Sequence, residues 1–174
     1  MQKKVLLLTI LCTVAVMCVA LNAFSQSYQS LTPLLVDIAG WDADSPEGMD
    51  MDMSGMKSVT AVREYEQGDK SATAAIIFGQ QMYGMWNPVY QEGFKMESSE
   101  GSLEVERIKG FIVVHTFDKS SSDGGIVVLI QEPSQDGTGG AIFSLAYEGM
   151  NKDEAMKLVQ KFDWNAMKSR VSKM

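Results

Sequence analysis

The segment from Leu103 to Ile130 constrains the fold most, because it contains two stretches that are apolar on both faces. From Phe111 to Phe117 both alternating sets of side chains are largely apolar, which is typical of a strand covered on both sides. Residues 118–125 have turn composition, and the same pattern returns from Ile126 to Ile130. The sequence therefore predicts an antiparallel pair of strands at the centre of a sheet.

Further strands are predicted on both sides of this pair. Residues 58–65 alternate between apolar and polar, residues 67–69 have the composition of a hairpin turn, and residues 71–78 form the return strand. Another strand is predicted over residues 141–147, after a loose loop at 133–140. We find no internal repeat and no boundary that would divide the chain into two domains.

Helical segments are predicted near both ends. Residues 30–41 read as a short helix with Pro33 at its first position and Gly40 at its end. The C-terminal helix is longer and begins at a cap formed by Asn151 and Glu154. Its apolar stripe consists of Ala155, Leu158, Val159 and Phe162, after which Asp163 can cap a second short helix with Trp164 and Met167. One or two helical turns are predicted around Met82, Met85 and Trp86.

The order of these elements predicts an α+β fold. It consists of a single, mainly antiparallel sheet of about six strands, covered by a short N-terminal and a longer C-terminal helix. Residues 26–174 suit one domain of ordinary size.

Residues 1–25 read as a secretory signal peptide. Lys3 and Lys4 form a positive start, an apolar run follows to Ala20, and residues 23–25 supply small residues at the cleavage spacing. The alternative is an uncleaved membrane anchor, because the apolar run nearly reaches the length needed to span a bilayer. Asn22 and the small residues favour cleavage before Gln26. We therefore expect a periplasmic or secreted protein without stable membrane insertion.

Cysteine content and charge exclude several classes of function. Both cysteines, Cys12 and Cys18, lie in the predicted leader, so the mature chain would have no disulfide, thiolate nucleophile or thiolate metal site. The net charge of the chain is −7, and cleavage would remove two lysines and no acidic residue. An acidic chain of this kind argues against nucleic acid and anionic membrane surfaces as partners.

Three short stretches resemble a group of small secreted bacterial proteins of unknown function. They are Leu31-Thr-Pro-Leu-Leu35 with Gly40-Trp41, then Arg63-Glu-Tyr-Glu-Gln-Gly-Asp69, and Lys161-Phe-Asp-Trp-Asn-Ala-Met167. The layout is similar to the α/β/α sandwich of PsbP-like and Mog1-like domains. This resemblance implies a fold and an envelope location, and it implies no catalytic residue.

The segment Gly48-Met-Asp-Met-Asp-Met-Ser-Gly-Met56 is the main candidate site. Thioethers are soft ligands that suit Cu(I), and methionines two residues apart lie on one face of an extended segment. Met49, Met51 and Met53 could converge on one ion, and Met56 could fold back to join them. The stretch also resembles the Met-Asp-x-Ser-Gly-Met repeats of periplasmic copper-resistance proteins. The alternative is an amphipathic edge strand with methionine toward the core and aspartate toward water.

The remaining chemistry-bearing residues favour a protein that is not an enzyme. His115 is the only histidine and shares a strand face with Val113 and Phe117, which favours a place in the core or on a sheet face over a ligand or a base. No nucleophile elbow, phosphate loop or calcium loop is complete. We therefore expect a non-catalytic envelope module that binds a protein or a small apolar ligand, with Cu(I) or metal handling by the methionine run as the alternative.

Overall fold

The structure is a computed structural model that describes residues 27–54, 56–79, 91–133 and 139–174. The predicted leader with both cysteines, and the helical turns predicted around Met82, Met85 and Trp86, lie outside the described residues. So does most of the loop predicted at 133–140.

Strands dominate the described part of the chain. They number nine there: β1 (Asp42–Ala43), β2 (Glu47–Met53), β3 (Met56–Gln67), β4 (Lys70–Gly79), β5 (Lys95–Glu97), β6 (Gly101–Ile108), β7 (Phe111–Asp118), β8 (Asp123–Gln131) and β9 (Gly140–Glu148). They form one sheet in the order β1-β3-β4-β9-β8-β7-β6-β5, and β2 also pairs with β3. Every pairing is antiparallel. Strands β1 and β2 therefore share one edge of the sheet, and β5 forms the other.

The predicted sheet of about six strands is wrong, because three additional strands line its edges. The six strands with clear apolar alternation are present, while β1, β2 and β5 are rich in Asp, Glu, Gly, Lys and Met. Asp, Gly and Lys are depleted in strands, so composition did not indicate β1 and β5 as strands. For β2 an edge strand was the alternative interpretation, and its place at the sheet edge is confirmed. All three segments are extended because each has a neighbouring backbone to pair with.

The predicted pairing of the two doubly apolar strands is confirmed, but their position needs correction. Strands β7 and β8 pair from Val113↔Val128 to Asp118↔Asp123. The centre of the sheet lies between β9 and β8, so β7 is one strand further out. The apolar character of β7 on both faces reflects burial of Val113 on one side and Val114 on the other.

The predicted long C-terminal helix is wrong in its length, because α1 (Lys152–Val159) ends before Phe162. The second short helix predicted after Asp163 is present as α2 (Trp164–Val171). The predicted cap is present, since Asn151 and Glu154 form a capping box at the start of α1. The helix ends at Val159, whose carbonyl accepts a hydrogen bond from Trp164 Nε1 at 3.2 Å. Asp163 then caps α2 by accepting from the Ala166 N–H at 2.9 Å. The cap at Asp163 was predicted, whereas the end of α1 at Val159 was not, because the apolar stripe placed Phe162 inside the helix.

The predicted N-terminal helix is also replaced, by two 3-10 turns at Tyr28–Ser30 and Thr32–Leu34. The segment after them is held by Arg63 of β3. Its guanidinium donates to the Leu35 carbonyl at 2.7 Å and to the Asp44 carbonyl at 2.7 Å, and it pairs with Asp37. Tyr65 adds a bond to the Val36 carbonyl at 2.9 Å. Side-chain bonds from β3 therefore fix a segment with little regular structure of its own.

All helices and 3-10 turns of the described residues pack on the same side of the sheet, which we call the core face. Phe162, between α1 and α2, is buried with its ring 4.7 Å from that of Phe143 and 5.9 Å from that of Tyr65. Trp164 packs edge-on against Phe111 with ring centroids 5.7 Å apart. Burial of these rings stabilises the attachment of the helices to the sheet.

The opposite side of the sheet, which we call the outer face, carries no helix among the described residues. One row across it follows from the register: Met49↔Thr60, Thr60↔Ile77, Ile77↔Ile142 and Ile142↔Leu129. These side chains are partly buried or exposed, except Leu129. This row therefore runs from the middle of the sheet to the methionine-rich edge and contains no charged residue.

No helix formed by the described residues has the length and apolarity to cross a membrane.

Candidate functional site: the methionine face of the β2–β3 hairpin

The methionine run lies on an antiparallel hairpin at the edge of the sheet. Strand β2 pairs with β3 from Glu47↔Val62 to Met53↔Met56. Side chains alternate along a strand, so Met49, Met51 and Met53 project to one side of β2. Met56 stands directly opposite Met53 and therefore projects to the same side. We call these four side chains the methionine face; the register places it on the outer face of the sheet.

The methionine face is exposed to solvent. The side chains of Met49, Met51, Met53 and Met56 are 55%, 43%, 60% and 55% exposed. The interpretation that methionine faces the core and aspartate faces water is therefore wrong. Large apolar side chains grouped on one exposed face are a recognised mark of a binding surface.

The reason for this orientation lies on the other side of β2, where Gly48 and Asp50 contact the first 3-10 turn. A Cβ at Gly48 would lie 2.5 Å from Tyr28 Cδ2 and 2.5 Å from the Thr60 carbonyl oxygen, so only glycine lets Tyr28 pack there. The Asp50 carboxylate accepts a hydrogen bond from the Tyr28 N–H at 2.7 Å. These contacts place Gly48 and Asp50 on the core face of the sheet, so the methionines of β2 project from the outer face.

The chemistry of the methionine face is neutral, soft and apolar. Its cross-strand neighbours on β3 are Thr60 opposite Met49 and Ser58 opposite Met51. Asp50 and Asp52 project to the other side, as their positions between the methionines require. Thioethers can coordinate soft cations, and flexible methionine side chains can adapt to an apolar protein surface. Both uses need the exposure that is observed.

The predicted place of His115 in the core is confirmed, since its side chain is only 1% exposed. Its Nε2 lies 2.6 Å from Tyr147 Oη, and its ring is nearly parallel to those of Phe117 and Tyr147, whose centroids are 6.5 and 6.0 Å away. Burial, together with the nearby positive charge of Lys152, lowers the pKa of His115 to about 4; the Glu104 charge opposes this shift and is the smallest of the three causes. Burial also raises the pKa of Tyr147 to about 12. His115 is therefore a neutral partner of Tyr147 at neutral pH.

Sequence reasoning did not identify this polar pair, or the ion pairs beside it. Residues 115 and 147 are far apart in the chain, and no local pattern joins them. Glu104 stands opposite His115 on β6 and forms ion pairs with both Lys95 and Lys152. The hydrogen bonds that Lys152 and Lys95 donate to the Glu104 carboxylate lower the pKa of Glu104 to about 2. The alternation of charge and apolar residues in β6 was the only available signal, and it suits a solvated strand equally well.

A shallow cleft of about 230 Å³ opens between the β6–β7 turn and the break between the two helices. Its walls include Lys109, Phe111, Lys161 and Trp164. The Lys109 ammonium lies 5.5 Å from the centre of the Trp164 ring. The volume is below the several hundred Å³ of usual ligand sites. The cleft therefore favours a structural contact over a small-molecule site.

The described residues contain no group of three or more His, Cys, Asp or Glu side chains arranged to hold a metal ion. The predicted thioether ligands are a different donor set, and their assignment to a metal stays a prediction. Comparisons with protein-family models, with curated proteins and with solved structures gave no match to this chain. The resemblance to PsbP-like and Mog1-like domains likewise stays a prediction.

Proposed function

We propose that this protein is a non-catalytic, exported binding module that recognises an apolar segment of a partner protein through its methionine face. The observation that carries the proposal is the exposure of four methionines on one face of an edge hairpin. Methionine is enriched in protein interfaces, where its flexible side chain fits irregular apolar surfaces. Leaving these side chains in water has no advantage for stability, which supports a role in binding.

A protein partner suits this surface better than a small apolar ligand. Small ligands are usually enclosed by a concave site of about 300–1,000 Å³. The methionine face lies on the open outer face of the sheet at the β2–β3 edge, and the cleft beside Trp164 measures only about 230 Å³. An open, flexible apolar face suits contact with another macromolecular surface.

The charge around the hairpin favours a different protein over a second copy. Glu47, Asp50 and Asp52 lie on β2, and the whole chain carries a net charge of −7. Two copies meeting at this edge would bring like charges together, whereas a neutral or basic partner would not. Export follows from the predicted leader, and the absence of a catalytic role is supported by the burial of His115, which is the only histidine.

Site-specific photo-cross-linking tests this proposal. A diazirine amino acid replaces Met51 in one variant and Met96 in the other, and both are produced in the cells that export the protein. Met96 is the matched control, because it is 56% exposed but lies on β5 at the opposite edge of the sheet. We expect a discrete cross-linked protein from position 51 alone. Identical products from both positions, or none from position 51, would contradict the proposal.

Two further measurements sharpen the result. Replacing Met51 and Met53 by Glu should abolish the cross-link made from a probe at position 49, because charge opposes docking of an apolar segment. Sedimentation of the purified protein separates the two kinds of partner. A dimer that forms through the methionine face and dissociates on dilution would mean that the partner is a second copy.

A further inference from the structure

The register of the hairpin brings three thioethers within reach of one point. Met53 and Met56 are directly opposite each other, so their Cα atoms are separated by about 4.5–5.5 Å. Met51 is the next residue of β2 on the same face, at about 6.6–6.8 Å from Met53. A methionine side chain is unbranched, has three rotatable bonds and carries its thioether sulfur next to the terminal methyl group. The sulfur atoms of Met51, Met53 and Met56 can therefore turn toward a shared centre.

Met49 does not belong to this group. It lies four residues from Met53 along an extended strand, about 13 Å away, and Thr60 is its cross-strand neighbour. Met49 can approach Met51, but it is too distant to share one ion with Met53 and Met56. The hairpin therefore divides four exposed methionines into a cluster of three and one outside it.

The donor set selects the kind of ion. Three thioethers are neutral and soft, and soft sulfur ligands favour Cu(I), whereas Mg²⁺, Ca²⁺ and Mn²⁺ prefer oxygen ligands. The two carboxylates that lie between the methionines project to the other side of β2: Asp50 accepts from the Tyr28 N–H there, and Asp52 also makes an interaction. Glu47 shares the side of the methionines but lies four residues from Met51, about 13 Å away. Nothing in this set requires deprotonation before it binds a metal, because a thioether carries no acidic proton.

The geometry points to a three-coordinate site for a monovalent soft cation, Cu(I), formed by Met51, Met53 and Met56. This site goes beyond the proposed recognition of a partner protein, and it uses part of the same face. Exposure of all three side chains means that the cation can enter from solvent without a change in the fold. The edge position of the hairpin also means that the side chains can converge without disturbing the core.

A competition titration under reducing, oxygen-free conditions tests the site. The purified protein is titrated against a coloured Cu(I) chelator, and native mass spectrometry counts the bound ions. We expect one Cu(I) per chain. Replacing Met51, Met53 or Met56 singly with Leu should raise the dissociation constant at least about tenfold, because loss of an outer-shell partner alone already costs 10–100-fold. Leu is close to Met in volume, so the fold should be retained.

Two controls make the test specific. Met49→Leu removes an equally exposed thioether from the same face, and Met96→Leu removes one from the opposite edge. Both should leave the affinity for Cu(I) unchanged. With isotope-labelled methionine methyl groups, Cu(I) should shift the resonances of Met51, Met53 and Met56 and leave those of Met49 and Met96 in place.

Several outcomes would overturn the site. They are failure of the wild type to compete for Cu(I), an equal loss of affinity in Met49→Leu, or no loss in the three ligand variants. The result also separates this site from the proposed function. A protein that cross-links through position 51 and ignores Cu(I) would overturn the metal site and leave partner recognition intact.

Discussion

His115 Nε2 and Tyr147 Oη lie 2.6 Å apart in the core, across the intervening strand β8. They can meet because Gly124 of β8 has no side chain: a Cβ there would lie 2.4 Å from Tyr147 Oη. The other ring nitrogen of His115, Nδ1, is buried without a hydrogen-bond partner among the described residues. The pair is therefore a polar contact inside an apolar core, and it depends on the missing side chain of Gly124.

The first prediction concerns the pH dependence of stability. The pKa of His115 is about 4 in the folded protein and near 6.5 in the unfolded chain. As the pH falls from 6.5 toward 4, the unfolded state binds a proton that the folded state does not, so stability is lost in this window. We expect a loss of roughly 2 kcal/mol between pH 7 and pH 4.5, measured by urea denaturation.

The control for this prediction is His115→Leu, which keeps the neighbouring charges of Glu104 and Lys152. The pKa of Glu104 is about 2, so the stability that its ion pairs provide is lost mainly below pH 4.5. The variant should lose roughly 2 kcal/mol less than the wild type over pH 7 to 4.5. The same pH dependence in both proteins would contradict the assignment to His115.

The second prediction concerns the space beside Tyr147. Gly124→Ala should destabilise the protein by about 1–3 kcal/mol, because the new methyl group would overlap Tyr147 Oη and the Thr116 carbonyl oxygen. Gly125→Ala is the matched control on the next residue, where a Cβ would come no closer than 3.3 Å to Thr116 Oγ1. Its free energy of unfolding should change by less than about 1 kcal/mol. Equal effects would show that Tyr147 can move aside without cost.

The third prediction concerns the attachment of the helices. Phe162→Ala should lower the free energy of unfolding by about 3–5 kcal/mol, because the ring is buried against Phe143 and Tyr65. Lys161→Ala changes the exposed neighbour and should have an effect within about 0.5 kcal/mol. An unchanged denaturation midpoint in Phe162→Ala would mean that the helices attach without this ring.

The fourth prediction compares methionines on the two sides of the sheet. Met53→Ala should change stability by no more than about 0.5 kcal/mol, because the side chain is exposed. Met167→Ala should cost about 2–5 kcal/mol, because this side chain of α2 is fully buried. Similar losses in both variants, measured by chemical denaturation, would place Met53 in a packed environment.

The fifth prediction concerns export. The positive start, apolar run and small residues of positions 1–25 predict cleavage near Gln26. Intact-mass measurement of the exported protein should give a chain that begins at or near Gln26 and contains no cysteine. A membrane-bound protein that retains Cys12 and Cys18 would contradict this prediction and support the anchor alternative.

The sequence by itself determined the features that depend on neighbouring residues. The cap formed by Asn151 and Glu154, the cap at Asp163, and the pairing of β7 with β8 all followed from short-range patterns. The burial of His115 also followed, because its strand neighbours Val113 and Phe117 are apolar. Periodicity reports which side chains share a face, and burial of an apolar face is the main driving force in folding.

Only the tertiary structure decided which way the methionine face points. Alternation of Met and Asp in β2 separates them onto two faces but does not say which face meets the core. That choice depends on Tyr28 packing over Gly48 and on its N–H donating to Asp50, both of which are contacts between distant segments. The same holds for the edge strands, which form by pairing with a neighbour, and for His115 and Tyr147, which meet only because β8 places Gly124 between them.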